Sequence, residues 1–396
     1  MLCQDLIKSS YDFTILYSYL NIARLSVQDS GHTIHPMTAI SSKTDIKELT
    51  RDELILWLKY RDIKSYRANQ ILKWIYLRQA DTFDVMTDVK KEIRKRLSQH
   101  FSIHRLEKER VETSQDGSKK YLFKLSDGKY VESVLIPEKD YYTLCISSQV
   151  GCAQGCLFCL TAKGGFIRNL TKGEIIAQVR DVAYDIGGSK RLTNIVMMGM
   201  GEPLANLSNV VGAINIITDS DIGLGFSSRR LTVSTSGLVP KLSDLGRETT
   251  VNLAISLNAT ENKTRDMLMP INRKYPIESL LNACAGYPLM PRRRITFEYI
   301  LLKGINDSEE DAKRLVSLLR PIQAKINLIP FNTYEESKFE CPEESVILHF
   351  RDILNKNNYT AIIRHSKGQD ISAACGQLRA NMILPKLSVS NSDKNI

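Results

Sequence analysis

Apolar positions divide the chain into two regions with different periods. Between about residues 45 and 101, apolar side chains recur at the spacing of helices, as at Leu54, Ile55 and Leu58. From Tyr142 onward, short apolar runs that suit strands alternate with segments of helical spacing. Strands that are apolar throughout and separated by helices indicate a parallel sheet that is covered on both faces. We therefore predict an α/β fold.

The apolar runs predict strands at residues 142–147, 193–198, 231–234, 252–256, 295–301 and 326–329, followed by a further strand at 360–364. Helices fit between them. One covers 171–186, where Thr171 and Glu174 have the spacing of a capping box, and another begins at Ser308 and ends before Pro321. Six such units are too few for a closed eight-stranded barrel. The predicted architecture is a partial (β/α)6 TIM-like barrel, in which chemistry lies at the C-terminal ends of the strands.

The segments outside the barrel complete the predicted organisation. The first segment has little period and contains at most one helix, near residues 11–25. The Asp127-Gly128 pair, between two short apolar runs, predicts a β-hairpin. The predicted domains are a poorly ordered extension (1–44), a small N-terminal helical accessory domain (45–104), a β-rich connector (105–137), the barrel (138–380) and a polar tail (381–396).

Basic residues exceed acidic ones. The 396-residue chain has 54 Lys and Arg against 44 Asp and Glu, a net charge of +10. Such a balance is typical of proteins that bind nucleic acid or anionic membrane. The excess is spread out, with short clusters at 90–96 and 292–294, so a solvated basic surface explains the charge equally well.

The chain has no sequence feature of a membrane or secreted protein. No apolar run approaches the ~18–20 residues that a membrane span requires. The N-terminus lacks a basic segment followed by an apolar one, so it is a poor signal peptide. We expect a cytoplasmic protein whose cysteines are reduced.

Four of the eight cysteines fall between Cys145 and Cys159, which predicts metal or redox chemistry. Cys152, Cys156 and Cys159 have the spacing C-x3-C-x2-C, and one short loop with that spacing can bring three thiolates to one metal centre. Three thiolates on a cubane cluster leave one iron open for a further ligand. The alternative is a closed zinc site with Cys145 as the fourth ligand. The spacing favours the open cluster, because zinc sites favour C-x2-C pairs and Cys145 is predicted to lie within a strand.

The cysteine spacing resembles that of the radical S-adenosylmethionine (SAM) superfamily, and further motifs resemble its RlmN/Cfr branch. The resemblance covers about residues 45–380. It rests on the segments 145–152, 165–176, 198–204, 234–237, 270–272 and 370–378. It implies a radical SAM barrel and methylation of adenosine in 23S rRNA at carbon 2 or carbon 8. The RlmN members also act on an adenosine beside the tRNA anticodon.

The resemblance also implies which residues contact SAM. Gly201 and Glu202 end the second strand, where a glycine permits close backbone approach and a carboxylate accepts hydrogen bonds from an ammonium group. Without the neighbouring motifs, a turn glycine and a surface glutamate would explain this pair. The other residues expected to line the same pocket are Ser234, Ser256, Leu257, Asn258 and Asn332. Position 258 is often histidine in the family, and asparagine here departs from that pattern.

Three residues match the catalytic positions of the family. Cys375 matches the cysteine that carries a methyl group, Cys145 the cysteine that resolves the covalent intermediate, and Glu132 the general base. Without the resemblance, we would interpret Cys375 as a small buried apolar residue, Cys145 as a residue of a core strand and Glu132 as an exposed residue of a strand.

The implied mechanism uses a 4Fe-4S cluster, with three cysteine ligands and one open iron, and two SAM molecules per turnover. One SAM methylates Cys375. The second, on the open iron, is cleaved to a radical that takes hydrogen from that methyl group, and the carbon radical adds to the base. Glu132 then helps to remove the ring proton, and Cys145 attacks Cys375 to release the RNA as a disulfide forms. An electron-donor reductase restores the thiols.

The expected partners are 23S rRNA, at the peptidyl transferase centre, and tRNA. The target base must leave its stack to reach the pocket. The basic residues of 90–96 and the rest of the accessory domain are candidates for contact with the RNA backbone. We expect a monomer that does not bind membrane.

Two other functions remain open from the sequence. A Cfr-type enzyme that methylates carbon 8 of adenine would have the same scaffold and cofactors. A non-catalytic, zinc-containing RNA-binding protein would explain the charge and the clustered cysteines. It would leave Gly201, Glu202 and Cys375 without a role.

Overall fold

The computed structural model describes residues 43–187, 191–334 and 337–380. Residues 1–42 of the predicted extension, with the helix predicted near 11–25, lie outside the described residues, as does the predicted tail 381–396. Thr44, which we had assigned to the extension, lies in the first strand.

Three helices form the N-terminal region, as the helical spacing of its apolar residues predicts. They are flanked by two short strands that pair in parallel. Leu54, Leu58 and Ile71 are fully buried between the helices, so the apolar face forms the core of this region. The elements are β1 (Thr44–Asp45), α1 (Arg51–Lys59), α2 (Arg67–Tyr76), α3 (Lys91–His100) and β2 (Phe101–Ser102).

The rest of the described chain alternates mainly between strands and helices. The strands are β3 (Glu107–Thr113), β4 (Lys119–Lys124), β5 (Tyr130–Pro137), β6 (Tyr141–Cys145), β7 (Gln149–Gly151), β8 (Phe166–Asn169), β9 (Arg191–Met197), β10 (Leu231–Thr235), β11 (Asn252–Ser256), β12 (Ile295–Leu301), β13 (Ala324–Pro330) and β14 (Ala361–Ile363). The helices are α4 (Leu160–Lys163), α5 (Lys172–Asp185), α6 (Leu207–Thr218), α7 (Leu242–Glu248), α8 (Asn262–Leu268), α9 (Ile277–Ala285), α10 (Glu309–Leu319) and α11 (Glu344–Lys356).

Within the described residues, ten strands form one sheet in the order β14-β13-β12-β11-β10-β9-β6-β5-β4-β3. In this sheet the neighbouring strands β6, β9, β10, β11, β12, β13 and β14 are parallel. Strands β5, β4 and β3 continue the sheet beyond β6, and each of them pairs antiparallel with its neighbour. Helices between the parallel strands cover the sheet, and inner strand residues such as Leu253, Phe297 and Leu328 have no exposed surface. The predicted α/β fold with a partial barrel of the radical SAM type is confirmed.

Local sequence signals position several of these elements. Thr171 and Glu174 form the predicted capping box at the start of α5. The antiparallel pairing of β4 and β5 confirms the predicted hairpin, and Gly128 in its turn has a φ of +78°. The sheet runs on through residue 138 without a break, and the predicted domain boundaries stay a prediction. No described helix has the length and apolar character that a membrane span needs.

Candidate active site

The C-terminal ends of the parallel strands surround a cleft of about 160 Å³. Most of the site residues predicted from the sequence line it. These are Cys152, Cys156, Cys159, Gly201, Glu202, Ser234, Ser256, Asn258 and Cys375. A larger cavity of about 610 Å³, beside α11 and β14, includes none of the predicted site residues.

The cysteine loop follows β7 and is held by backbone contacts on both sides. Gly151, which ends β7, has a φ of +75°, and a Cβ atom at this position would lie 1.9 Å from the carbonyl oxygen of Gly165. The Cys152 N–H donates to that same oxygen at 2.9 Å, and the Leu157 N–H donates to the Leu268 carbonyl at 3.0 Å. Only glycine fits at position 151, so this close approach fixes where the loop begins.

The three thiols of the loop lie near one another and face the cleft. Burial raises the pKa of Cys152 to about 12, and the pKa of Cys156 is raised as well, by burial first and then by the Cys159 and Cys152 thiolates. Buried thiols of this kind ionise when a metal centre replaces their protons. Among the described residues, no three Cys, His, Asp or Glu side chains converge closely enough to hold a single metal ion. Three neighbouring thiols around an open cleft fit a larger group, such as an iron–sulfur cluster.

Gly201 and Glu202 lie opposite the cysteine loop, after β9. Gly201 has a φ of +104°, and an added Cβ would lie 2.6–2.8 Å from atoms of Gln149. The Gln149 side chain in turn accepts the Glu202 N–H at 2.8 Å. Position 201 therefore requires glycine, because both the backbone N and the side chain of Gln149 approach it closely.

The Glu202 carboxylate is held by strand β10 on the other side of the cleft. One of its oxygens accepts the Ser236 N–H at 2.7 Å and the Ser236 hydroxyl at 2.8 Å, and the other accepts the Leu204 N–H at 3.0 Å. Glu202 is only 3% exposed, and burial raises its pKa. A carboxylate fixed in this way beside a cleft can accept hydrogen bonds from an ammonium group and balance its charge.

The end of β11 contributes Ser256 and Asn258 to the cleft but not the Leu257 side chain. Leu257 has no exposed surface and packs in the main core. Asn258 has a φ of +58°, and its side-chain oxygen accepts the Ile300 N–H at 2.9 Å. Asparagine tolerates this left-handed backbone better than most residues.

Cys375 approaches the cleft on the segment that follows β14. Its thiol is exposed to the cleft, and burial by the surrounding residues raises its pKa to about 11. The neighbouring Gly376 carbonyl accepts the Leu160 N–H at 2.7 Å, so this segment is bonded directly to the cysteine loop. Asn332 does not line the cleft. Its side chain donates to the Cys375 carbonyl at 3.3 Å and accepts from Gln369 at 3.0 Å.

Cys145 and Glu132 lie behind the cleft, on neighbouring strands. Cys145 ends β6, where burial first and the Cys375 thiolate second raise its pKa to about 12. Both cysteines are free thiols, which is the reduced state in which the implied reaction begins, and the disulfide between them stays a prediction. The Glu132 carboxylate, on β5, accepts the backbone N–H groups of Arg379 and Ala380 at 2.8 and 3.1 Å. The segment that carries Cys375 therefore also contacts Glu132.

Strand β4 and the turn between β3 and β4 hold the other side of this segment. The Asp116 carboxylate accepts the Gly368 N–H at 2.8 Å, and the Ser114 hydroxyl donates to Asp370 at 2.5 Å. Lys120 donates to the Ile371 carbonyl at 2.5 Å. The β-rich connector thus positions residues that lie about 250 positions further along the chain.

Sequence reasoning missed Ser236 and Glu298, which line this cleft, and Gln149, which contacts Gly201 and Glu202. Gln149 and Ser236 lie within motifs that we had used, but only their neighbours were chosen. Glu298 lies within β12, where it is 7% exposed, and it accepts a hydrogen bond from Asn327 at 2.9 Å. A single acidic residue inside an apolar strand was the available signal, because an unpaired charge is costly to bury.

Two family models match the chain. The first, "Ribosomal RNA large subunit methyltransferase N-terminal domain", matches residues 44–103, and the second, the radical SAM superfamily, matches residues 146–316. The dual-specificity RNA methyltransferase RlmN of Desulfosudis oleivorans is 57% identical over 346 residues, which cover 87% of this chain and 93% of that protein. The protein of the same name from Geobacter sulfurreducens is 54% identical over 352 residues, 89% of this chain and 96% of that protein.

A solved structure has a similar fold. The crystal structure of a radical SAM methyltransferase from Sphaerobacter thermophilus matches with a TM-score of 0.80 and 43% identity, covering 85% of this chain and all of that one. High identity over nearly the whole length of the relatives extends across the accessory region, the barrel and the cysteine loop. The chain therefore belongs to the RlmN family of RNA methyltransferases within the radical SAM superfamily.

Proposed function

We propose that the chain methylates carbon 2 of adenine in 23S rRNA, at the peptidyl transferase centre, and in tRNA next to the anticodon. The observation that carries the proposal is the meeting of Cys375 with the three thiols of the cysteine loop in one cleft. A cysteine so placed can receive a methyl group from one ligand of the cleft and present it to another. The relatives named above support both RNA substrates, because they are dual-specificity RNA methyltransferases.

Membership in the radical SAM superfamily implies a 4Fe-4S cluster and SAM. Cys152, Cys156 and Cys159 are the residues that would hold the cluster, and Gly201 and Glu202 lie where they can bind the amino-acid part of SAM. When bound, the two cofactors together supply the carbon-centred oxidant that removes hydrogen from an unactivated methyl group. Two SAM molecules per turnover follow if Cys375 takes its methyl group from the first.

Cys375 carries the methyl group in this proposal, and its surroundings keep it in place. The Asn332 amide holds its carbonyl, and the Gly376 carbonyl is held by Leu160. These bonds restrict the backbone on both sides of the reactive thiol. Restricting a reacting group in this way lowers the entropy that must be lost in the transition state.

Cys145 and Glu132 complete the reaction. Glu132 accepts the proton released from the ring carbon, and the deprotonated Cys145 attacks the Cys375 sulfur. The bond between that sulfur and the new carbon breaks as a disulfide forms, and the carbon leaves with the bonding electrons and takes up a proton to become a methyl group. The one electron that the radical addition leaves unpaired would return to a cluster held by Cys152, Cys156 and Cys159. The pKa of Cys145 is raised to about 12 by burial, so the thiol must lose its proton to a base before it can attack. A two-electron donor, which we expect to be a reductase, then restores both thiols.

The basic helix α3 supports RNA binding in part. Lys90, Lys91 and Lys95 are exposed. Arg94, which we expected to join them, donates instead to the Asp84 carbonyl and is partly buried. The proposed contact with phosphates therefore rests on the three lysines and on Arg96, which is also exposed.

Salt-dependent binding tests this surface. Single Lys→Glu changes at residues 90, 91 and 95 should each weaken tRNA binding and reduce the slope of log affinity against log salt by about 1. The control is Arg292→Glu, an exposed cation just before β12, at the end of the strands opposite the cleft. Equal slopes for all four variants and the parent enzyme would remove α3 from the RNA interface.

Nucleoside mass spectrometry tests the reaction. RNA is incubated without oxygen with the cluster-loaded enzyme, SAM and a reductant. We expect 2-methyladenosine, and none from Cys375→Ala, whereas Cys341→Ala, which changes a cysteine outside the cleft, should retain activity. If 8-methyladenosine forms, the Cfr-type alternative is correct. If neither product forms although SAM is cleaved, the substrate proposal is wrong.

Iron and sulfide content after anaerobic purification distinguishes the enzyme from the zinc-containing RNA-binding alternative. Zinc in place of iron and sulfide would support that alternative and contradict the proposal. The cytoplasmic location, the monomeric state and the absence of membrane binding stay predictions from the sequence.

A further inference from the structure

Two arginine side chains, Arg180 and Arg265, have no exposed surface. Arg180 has carboxylate partners, since its guanidinium lies 2.8 Å from Asp81 and 3.2 Å from Asp181. Arg265 differs. Within residues 43–187, 191–334 and 337–380, no carboxylate forms an ion pair with it.

Arg265 is instead surrounded by neutral acceptors. It donates to the carbonyl oxygens of Leu257 at 3.0 Å, Ser236 at 2.8 Å and Ser256 at 3.2 Å, and to the Asn272 side chain at 2.9 Å. The carboxylate of Asp266 accepts its hydrogen bond from the Asn272 amide, at 2.7 Å, and acts on the guanidinium through space without a direct ion pair. Three of the four acceptors belong to the ends of β10 and β11, which line the cleft.

A buried cation without an anion is costly. Burying a charge removes it from water, and the hydration that is lost keeps this burial unfavourable even after the protein relaxes. Carbonyl dipoles offset part of this cost but leave a net positive charge in the interior. Such a charge is expected where an anionic group binds next to it.

The cysteine loop is the neighbouring place for that anion. Helix α8, which carries Arg265, ends at Leu268, whose carbonyl accepts the Leu157 N–H of the loop at 3.0 Å. A Cβ atom on Gly155 would lie 3.6 Å from Pro270, which follows α8. Burial lowers the pKa of Arg265 to about 10, and of the charges that oppose this effect the Cys156 thiolate comes first.

We propose that Arg265 is the internal counter-charge of the iron–sulfur cluster held by Cys152, Cys156 and Cys159. The inference rests on the proposed function, because it requires the cluster. Reduction adds one negative charge to a cluster that is already bound by three thiolates. A fixed positive charge in a medium of low dielectric constant stabilises the reduced form more than the oxidised one, and so raises the reduction potential. Arg265 is thus a positioning residue for the strand ends and an electrostatic partner of the cluster.

Two substitutions separate the charge from the hydrogen bonds. Arg265→Lys keeps the positive charge and loses the fork of donors, whereas Arg265→Gln keeps hydrogen-bonding ability and loses the charge. The control is Arg180→Gln, which changes the other fully buried arginine, whose hydrogen-bond partners are not cleft residues. Full-length protein is reconstituted without oxygen, and iron content is measured before any titration.

The measurement is a redox titration of the cluster followed by electron paramagnetic resonance, without SAM and then with it. For Arg265→Gln we expect at least a tenfold shift of the reduction equilibrium toward the oxidised cluster, which is about 59 mV for a one-electron couple. Arg265→Lys and Arg180→Gln should titrate like the parent enzyme. Loss of the cluster from Arg265→Gln alone, with Arg265→Lys still loaded, would also support the proposal.

Three outcomes would overturn it. Equal potentials for the parent and a fully loaded Arg265→Gln variant would show that the charge does not act on the cluster. Loss of iron from both Arg265 variants would show a structural role only. A shift seen only with SAM present would mean that Arg265 acts on the bound SAM and not on the cluster. If the parent itself binds no iron, the proposed function fails instead.

Discussion

Gly201 is the position where a single methyl group should do the most damage to the cleft. Its φ of +104° lies outside the region that other residues adopt, which costs about 1–3 kcal/mol for alanine. The added Cβ would also lie 2.6 Å from Cβ, 2.7 Å from Cγ and 2.8 Å from N of Gln149. Overpacking of this kind costs about a further 1–3 kcal/mol. We predict that Gly201→Ala lowers the free energy of unfolding by about 2–6 kcal/mol.

The same change should weaken SAM binding. Gln149 must move away from the new methyl group, and its side chain accepts the N–H of Glu202 at 2.8 Å. Displacing Glu202 alters the side of the cleft that we assign to the amino-acid part of SAM. A loss of only 1.4 kcal/mol in binding corresponds to about a tenfold weaker affinity. We therefore expect at least a tenfold increase in the dissociation constant of SAM.

Urea unfolding and equilibrium dialysis with labelled SAM measure the two effects on cluster-loaded protein. The matched control is Gly225→Ala, because Gly225 has a φ of +72° and no atom within 4 Å of an added Cβ. An alanine at position 225 would have the same kind of unfavourable positive φ, but it would not contact Gln149. If both variants lose the same stability and bind SAM like the parent enzyme, the close approach to Gln149 has no energetic consequence, and our reasoning about this position is wrong.

Three further changes test other parts of the fold. Asp116→Ala removes the carboxylate that accepts the Gly368 N–H, so product formation should fall about tenfold while SAM affinity is unchanged. Unchanged turnover would show that the turn between β3 and β4 does not contribute to the reaction. Burial raises the pKa of Glu298 in the folded protein. Its carboxyl group therefore stays protonated to a higher pH in the folded protein than in the unfolded chain, and the free energy of unfolding should fall as pH rises above about 4.5. Glu298→Gln should flatten that fall in urea-unfolding midpoints, and parallel profiles would contradict this assignment. Thr171→Ala removes the capping box with Glu174 and should cost about 1 kcal/mol of unfolding free energy, with no change in SAM affinity.

Much of the barrel could be predicted because strands buried on both faces are apolar throughout. The predicted bounds of β11 and β12 are those observed. Strand β3, by contrast, was missed. Its sequence, Glu107 to Thr113, contains one apolar residue and is almost wholly exposed, since β3 is at the edge of the sheet. Such a strand is held by backbone pairing with β4, which leaves no periodic signal in the sequence.

The candidate site was predictable where its residues lie in local motifs, as at Cys152 and Glu202. Residues that act over a long separation were not. Asp116 holds Gly368, which is 252 positions away. Arg265 lies on a short helix, where a charged residue is ordinarily exposed. Neither residue carries a sequence signal that distinguishes it from a surface residue, because its role comes from packing between distant parts of the chain.

The antiparallel extension has a function that a purely parallel barrel could not perform. Strand β14 lies at one end of the strand order and β3 at the other. The chain after β14 is bonded to the turn between β3 and β4 through Asp116, and to β5 through Glu132. This segment therefore joins the two ends of the open sheet, with Cys375 between its two attachments. Because Glu132 and Cys145 lie on the adjacent strands β5 and β6, the same connection brings Cys375 toward both residues that the proposed reaction uses after the methyl transfer.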